Sequence, residues 1–307
     1  MIYTVTLSPA LDYMMWLDHF EEGGLNRALN TSFRAGGKGI NVSVVLSRLG
    51  ISSVCLGFTA GFVGQELIRL LTLEGIDHDF ITAAQGCSRI NVKVKSGTET
   101  EINADGPVLS EDELNSLLEK ARKLKSGDVL ILSGKPPKGI PDDIYSDLLT
   151  VVSGKDVKTV VDASGDDLLR ALDKNPYRIK PNKAELEEIC RTKLGSLYDI
   201  AAAARELQQK GARSVLVSLG ADGALLASGD GKVFACSIPE GELVNSTGAG
   251  DSMVAGFIAR DLTGGTKEDC LRFAVACGSA SSYSYGLLEQ DGLKEVLDRM
   301  PEPELII

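Results

Sequence analysis

The clearest chemical signal in the sequence is a glycine-rich segment at 246–252, STGAGDS, followed by an apolar run typical of a helix. Glycines let backbone amides converge, and the first turn of a helix carries partial positive charge. The segment therefore predicts an anion hole formed by Gly248, Ala249 and Gly250. Asp251 follows directly. Aspartate is a favoured helix cap, but beside a phosphate it can also accept the proton of an attacking hydroxyl.

A second glycine-rich segment lies at 36–41, GGKGIN. Three glycines within four residues allow the backbone to approach a ligand closely, around Gly37 and Lys38. Asn41 can hydrogen-bond the hydroxyls of a sugar. A tight turn before a helix would use the same glycines, so the segment alone leaves both interpretations open.

Neither glycine segment matches a common nucleotide-binding motif. A Walker A loop requires Ser or Thr after its lysine, and Lys38 is followed by glycine. In the later segment Met253 occupies the third glycine position of the dinucleotide fingerprint. A nicotinamide-dependent oxidoreductase is therefore only a weak alternative, which protection against thermal unfolding by NAD but not by ATP would support.

The segment at 180–185, KPNKAE, places Asn182 and Glu185 on the same turn at the start of a helix. Such a pair could hold a magnesium ion through its bound waters. The same spacing is that of a capping box, in which the two side chains bond to the backbone of the first turn. The sequence supports both interpretations equally.

A fourth segment at 217–223, VSLGADG, reads as the end of a strand leading into a glycine turn. Taken alone, it is best interpreted as the turn of a hairpin. Its glycines would also let a nucleotide lie against the backbone at Ser218, Gly220 and Gly223.

The elements around these segments alternate between strand and helix, which predicts a parallel sheet covered by helices on both faces. Two β-rich stretches, at about 11–35 and 87–105, do not follow this rhythm. The second contains a hairpin pattern around Ser96 and Gly97. We expect both stretches to form a small accessory sheet, inserted into one domain that spans residues 1–307.

Composition limits the function classes. Among 307 residues 43% are hydrophobic and the net charge is −11, so the chain lacks the basic character of a nucleic-acid-binding protein. Six scattered cysteines and only two histidines argue against a zinc site and fit reduced thiols in the cytoplasm. Neither a signal peptide nor a long apolar segment is visible, so we expect a cytoplasmic protein without membrane contact.

In combination, AGGKGINVS at 35–43 and NSTGAGDSMVAGF at 245–257 resemble the two signatures of the ribokinase-like (PfkB) carbohydrate kinases. The resemblance covers essentially the whole chain, from TLSPALDY through KPN to VSLGADGA. It implies an α/β fold, a three-layer α/β/α sandwich with a mostly parallel central sheet and a small β-sheet lid. It also implies ATP and Mg²⁺ as cofactors.

The resemblance further implies roles for individual residues. Asp251 would be the catalytic base, next to the anion hole. Asn182 and Glu185 would correspond to the magnesium-associated motif. The nucleotide would contact Lys180, Asn182, Ser218, Gly220 and Gly223. The sugar would contact Asp12, Arg27, Gly37, Lys38, Asn41, Arg89, Asn103 and Ser133.

A phosphorylated sugar requires positive charge, which Arg27, Lys38 and Arg89 could supply from three separate segments. The alternative for each is an ordinary solvated side chain. Within the family the chain looks most like members that convert fructose 1-phosphate to fructose 1,6-bisphosphate, with tagatose-6-phosphate kinases as close relatives. A non-catalytic sugar-phosphate sensor is a further alternative, although a sensor would not need Asp251. Exposed lid edges favour a homodimer.

Overall fold

The computed structural model describes all 307 residues, which form fifteen strands and ten helices. The strands are β1 (Ile2–Thr6), β2 (Ala10–Trp16), β3 (Asn30–Gly36), β4 (Ser53–Thr59), β5 (Asp77–His78), β6 (Ile81–Thr82), β7 (Arg89–Ser96), β8 (Thr98–Asn103), β9 (Val129–Ser133), β10 (Lys158–Asp162), β11 (Arg178–Ile179), β12 (Val215–Ser218), β13 (Ala224–Ala227), β14 (Val233–Cys236) and β15 (Glu304–Leu305).

The helices are α1 (Lys38–Arg48), α2 (Gly61–Leu73), α3 (Glu111–Arg122), α4 (Ile144–Val152), α5 (Gly165–Leu172), α6 (Lys183–Cys190), α7 (Leu197–Gln209), α8 (Ala249–Leu262), α9 (Lys267–Ser282) and α10 (Gln290–Leu297). None of them combines the length and apolarity needed to cross a membrane.

The larger sheet has the strand order β15-β14-β13-β12-β11-β10-β9-β1-β4-β5, with β6 also paired to β4. All pairs from β12 to β5 are parallel, whereas β12 to β15 pair antiparallel. The helices that connect the parallel strands make this arrangement possible, because parallel neighbours need a long crossover. The predicted mostly parallel sheet is confirmed.

Both faces of this sheet are buried, as the strand sequences require. In β9, Ile131 belongs to one apolar cluster while Leu130 and Leu132 belong to the other, since successive side chains point to opposite faces. The two clusters contain 39 and 36 buried residues, so neither face is left to solvent. Helices α1, α2, α8, α9 and α10 cover one face and α3 to α7 the other, which gives three layers.

A separate sheet of four strands has the order β3-β2-β7-β8. Its register places Arg34, Asp12, Asn91 and Asn103 in one row across the four strands. Residues in one row share a face, so this face of the small sheet is polar. The predicted small sheet is present, and the hairpin of β7 and β8 turns at Gly97 as expected.

Candidate active site

Several of the predicted site residues lie at one edge of the larger sheet. Asp162 ends β10, Lys180 follows β11 and Ser218 ends β12, and these three strands are parallel neighbours. In open α/β sheets ligands bind outside the carboxyl ends of the strands. Chain segments that are far apart in sequence therefore meet at this edge.

Asp251 is the third residue of α8, whose N-cap is Gly248 in the left-handed conformation with φ 83°. No side chain caps this helix end, so the capping interpretation of Asp251 is wrong. The first-turn amides of a helix have no partner within the helix. Here Ala249 has only a long bond to the carbonyl of Ser246, at 3.4 Å, which leaves the amides available to an anion.

The Asp251 carboxylate is buried, with 5% of the residue exposed, and Oδ2 accepts a hydrogen bond of 2.7 Å from Asn41 Nδ2. Burial and, to a smaller extent, the charge of Asp162 raise the pKa of Asp251 to about 6. The hydrogen bond from Asn41 and the charges of Lys38 and Lys180 oppose this shift. Such a carboxylate is ionised at neutral pH but more basic than an exposed one, which suits proton abstraction.

Two lysines converge on Asp162, a residue that is only 1% exposed. Lys180 Nζ lies 3.2 Å from Asp162 Oδ1, and Lys38 Nζ lies 3.5 Å from the same atom. A Cβ atom added to Gly250 would lie 3.2 Å from Lys180 Nζ, so this ammonium sits directly against the anion hole. The arrangement places two cations where negative charge on a phosphoryl group would develop.

Lys38 interacts with more of the site than the sugar role predicted for it. Burial alone lowers the pKa of Lys38, but attraction to Asp162, Asp251 and Glu185 outweighs burial, so the net effect is a raised pKa. Lys38 is therefore charged throughout the neutral range and lies among three carboxylates. It can contact either a sugar phosphate or the transferred phosphoryl group.

Asp162 was not among the predicted site residues. The signal that could have identified it is its position at the end of a buried strand, TVVD, whose neighbouring parallel strand leads to Lys180. A carboxylate at the carboxyl end of a parallel strand points to the ligand-binding edge.

Beside the anion hole lies a cavity of about 600 Å³. Its polar side is formed by Asn182, Ser218, Gly220 and Gly223, all predicted to contact a nucleotide. Its apolar lining includes Leu243, Ile238, Met253, Val275 and Tyr283. The volume is within the usual range of about 300–1,000 Å³ for ligand pockets, and a flat base between apolar groups with polar phosphates toward the anion hole would match the lining.

Asn182 and Glu185 form the capping box of α6. Asn182 Oδ1 accepts from the amide of Glu185, and Glu185 Oε2 accepts from the amide of Asn182, both at 2.8 Å. The remaining oxygen of Glu185 makes no such bond. Within the structure no three His, Cys, Asp or Glu residues form a cluster suited to direct metal ligation. The pair therefore fits Mg²⁺ only through metal-bound waters, a mode that this ion commonly adopts.

On the small sheet, Asp12 is held between two neighbours in its row. Its Oδ2 accepts from Arg34 Nε at 3.4 Å and its Oδ1 from Asn91 Nδ2 at 3.1 Å. Arg89 lies on the same face, where its Nε donates to the carbonyl of Ser8. Burial lowers the pKa of Arg89, and the charge of Asp12 partly offsets the effect. Sequence analysis had not identified Arg34 or Asn91.

The remaining predicted sugar contacts lie on different elements of the fold. Arg27 is exposed on the segment between β2 and β3 and makes no ion pair. Asn103 is exposed and donates to Glu101. Ser133 is buried at the end of β9, where its hydroxyl has no hydrogen-bond partner and is free to bond a ligand at this edge. Their roles toward a sugar stay predictions.

Comparison with known proteins shows the family of this chain. Residues 5–290 match the sequence profile described as pfkB family carbohydrate kinase. The chain is 39% identical over 297 residues to the 1-phosphofructokinase of Bacillus subtilis, covering 97% of each protein. It is 37% identical over 288 residues to the D-tagatose-1-phosphate kinase of Bacillus licheniformis, covering 94% of each.

Solved structures show the same architecture. Escherichia coli phosphofructokinase-2 in complex with fructose-6-phosphate is 30% identical, with a TM-score of 0.90 over 97% of this chain and 98% of the other. Arabidopsis thaliana ribokinase complexed with ribose and ATP is similar in fold, with a TM-score of 0.78 over 96% of this chain and 98% of the other at 24% identity. The fold is therefore ribokinase-like, as the sequence predicted.

Proposed function

Because the chain belongs to the pfkB family of carbohydrate kinases, it is a phosphotransferase with an alcohol acceptor, and we propose that it transfers a phosphoryl group from ATP to a hydroxyl of a ketohexose phosphate. Fructose 1-phosphate, giving fructose 1,6-bisphosphate, is the acceptor that we place first. The observation that carries the proposal is the Asp251 carboxylate, buried between Asn41 and the open amides of α8.

Each part of this arrangement has a role in transfer. Asp251 accepts the proton of the sugar hydroxyl while that oxygen attacks the phosphorus. Asn41 holds the Asp251 carboxylate in place through its hydrogen bond of 2.7 Å. The amides of Ala249 and Gly250, with the Lys180 ammonium beside them, stabilise negative charge on the transferred group. These groups are fixed before reaction, so no reorganisation is needed at the transition state.

We place ATP in the cavity of about 600 Å³, with its base against the apolar lining and its phosphates toward α8. Mg²⁺, held through water by Glu185 beside Asn182, would neutralise charge on the nucleotide phosphates.

We place the sugar between the central edge and the polar face of the small sheet. Asp12 accepts hydrogen bonds from hydroxyls, and Ser133 and Asn41 can contact the ring. We assign its phosphate to Arg89 and Lys38. As a third cation we prefer Arg34, which lies beside Asp12, to the exposed Arg27. The small sheet would act as a lid that excludes water and so limits hydrolysis of ATP.

A second acceptor class is a tagatose phosphate. The relative from Bacillus licheniformis carries the name of a D-tagatose-1-phosphate kinase, and it is nearly as similar to this chain as the Bacillus subtilis protein. Tagatose and fructose differ at one hydroxyl, so a single contact could exchange the preference. Fructose 6-phosphate, bound by the Escherichia coli structure, is a third acceptor to test.

The test is ADP release by purified protein with ATP and Mg²⁺, compared across fructose 1-phosphate, tagatose 1-phosphate, tagatose 6-phosphate and fructose 6-phosphate. We expect the largest kcat/KM with fructose 1-phosphate. Preference for a tagatose phosphate would leave the proposed phosphoryl transfer unchanged, but it would show that fructose 1-phosphate is not the preferred acceptor. Binding of a sugar phosphate without ADP release from any of them would contradict the proposed activity and favour a sensor.

We also propose a homodimer formed through the outer face of the small sheet. The row next to the polar one contains Phe33, Tyr13, Val92 and Ile102, and Phe33 and Ile102 are more than half exposed. An apolar face of this kind is typical of an interface.

A cytoplasmic location accords with the six cysteines, all of which are free thiols.

A further inference from the structure

A second polar cavity, of about 210 Å³, lies at the opposite edge of the larger sheet from the active site. It is formed where β11 and β12 begin and where the antiparallel strand β13 ends. Its lining contains Tyr177, Arg178, Arg213, Ser214, Ser228 and Lys267. None of these residues takes part in the proposed transfer reaction.

Arg178 is the unusual member of this cavity, because its charge is buried without a counter-ion. Only 2% of the residue is exposed, and its guanidinium lies 3.4 Å from the ring centre of Phe257. Nε donates to Ser214 Oγ at 3.0 Å, whereas the buried Nη1 has no hydrogen-bond partner. Burial lowers the pKa of Arg178 to about 10, so it is still charged at neutral pH. An unpaired buried charge is costly.

The carboxylate whose charge attracts Arg178 is that of Asp261, and both of its oxygens already accept hydrogen bonds from other side chains. Asp261 Oδ2 accepts from Lys158 at 2.8 Å, and Asp261 Oδ1 accepts from Lys267 at 3.0 Å. The hydroxyl of Tyr177 also donates to Asp261. The charge of Asp261 attracts Arg178, but it forms no ion pair with it.

A second arginine increases the positive charge around the cavity. Arg213 is exposed, forms no ion pair, and extends over the Tyr177 ring at 5.6 Å from its centre. Asp230 is the only acidic residue that lines the cavity. The chain as a whole has a net charge of −11, so the cations that line this cavity form a local positive region. The hydroxyls of Ser214 and Ser228 line the same cavity.

We propose that this cavity binds a phosphate group, either as the free ion or as a small phosphate monoester, between Arg178 and Arg213. Arginine presents paired N–H donors that match phosphate oxygens, and serine hydroxyls complete such sites. The cavity is smaller than the pockets of about 300 Å³ or more that hold larger organic ligands, which excludes a nucleotide.

Binding here would stabilise the strand that also supports the active site. Arg178 and Lys180 are two residues apart on β11 and its extension, so their side chains lie on the same face of the sheet. That face is covered by α8, which contributes both Phe257 and Asp251. Since a ligand that binds only the folded state raises its stability, phosphate should raise the thermal unfolding midpoint.

The test is to measure that midpoint while inorganic phosphate is titrated at constant ionic strength, with sodium chloride as the balancing salt. We compare Arg213→Ala with Arg122→Ala, a control on α3 that removes another exposed arginine, whose side chain pairs only within its own helix. We expect Arg213→Ala to need about tenfold more phosphate than the control for the same rise, as expected for loss of one charged hydrogen-bonding partner.

Phosphate bound at the active site contributes equally to both variants, so the difference between them reports this cavity alone. Arg178→Met should lose completely the part of the stabilisation by phosphate that comes from this cavity. If Arg178→Met fails to fold, the comparison of Arg213→Ala with Arg122→Ala still tests the proposal. Equal phosphate responses of Arg213→Ala and Arg122→Ala would overturn the proposal. Repeating the titration with glycerol 3-phosphate identifies the source: a tighter response indicates a monoester, and a weaker one the free ion.

Discussion

At the scale of single residues, burial suits Asp251 to the role of base that we propose for it. A carboxylate in water has too low a pKa to take a proton effectively, and burial raises the pKa of Asp251 to about 6. Lys38 and Lys180 limit that rise, so the group is still ionised near neutral pH. Asn41 adds to their effect with a hydrogen bond that favours the charged form.

The pH dependence of activity should report this carboxylate. Because Asp251 must be ionised to accept a proton, kcat/KM should decrease as the pH falls below about 6. Asn41→Leu removes a hydrogen bond that lowers the pKa of Asp251, so the acidic limb of the profile should move to higher pH. Asn91→Leu, which removes a similar amide from Asp12, should keep the wild-type limb. An unchanged limb in Asn41→Leu would argue against Asp251 as the titrating group.

Removal of the carboxylate tests the base directly. Asp251→Asn should lower kcat by about 10²–10⁴, the usual contribution of a positioned general base. Binding of the nucleotide and of the sugar phosphate, measured by calorimetry, should change little because the amides of α8 remain. Asp147→Asn, at an exposed position on α4, serves as the control. Turnover by Asp251→Asn close to the wild-type rate would show that another group takes the proton.

At the scale of elements, the starts of the helices combine structural and functional roles. Helices α3, α6, α7 and α9 all begin with a capping box. In α3 the box is formed by Ser110 and Glu113, which do not belong to the candidate site. In α6 the same geometry places Asn182 on the wall of the large cavity. Helix α8 has no such cap, which leaves its amides free for a ligand.

A comparison of two caps should separate these roles. Ser110→Ala and Asn182→Ala each remove one capping side chain, so each should lower the free energy of unfolding by about 1 kcal/mol. Only Asn182→Ala should also raise the concentrations of ATP and Mg²⁺ needed for half-maximal activity. Denaturant unfolding and steady-state kinetics measure the two effects. If both variants kept wild-type kinetics, Asn182 would be a helix cap alone.

At the scale of the whole molecule, the two sheets have different roles in the proposed site. The larger sheet is buried on both faces and holds the proposed catalytic groups at one edge, whereas Asp12 lies on the separate small sheet. The two faces of the small sheet differ in character, since the Asp12 row is polar and the Phe33 row is apolar. We interpret the polar face as the substrate side and the apolar face as the subunit contact.

The subunit contact has a direct test in solution. Phe33→Asp places a charge at an exposed end of the apolar row, so sedimentation analysis should show a shift from dimer to monomer. Phe62→Asp is the matched control, because Phe62 is an exposed phenylalanine on α2, outside the small sheet. A wild-type protein that sediments as a monomer, or a Phe33→Asp variant that stays dimeric, would contradict the proposed interface.

Much of this protein follows from its sequence alone. The glycine segments, Asp251, the caps of α3 and α6 and the alternation of strands and helices depend on residues close together in the chain, where spacing and backbone preference decide the structure. The alternation of strands and helices does not locate every helix by itself: α5 and α10 span eight residues each, and helices of this length depend on tertiary packing for stability.

Only the tertiary structure decided which charges meet. Lys38, Asp162, Lys180 and Asp251 belong to four segments spread over more than two hundred positions, and their contacts arise because α1 and α8 pack against the carboxyl ends of neighbouring strands. The same packing buries Arg178 under α8. Burial, which shifts the pKa of Asp251 and leaves Arg178 without a counter-ion, is a property of the assembled layers, because desolvation depends on every neighbour and not on the residue's own segment.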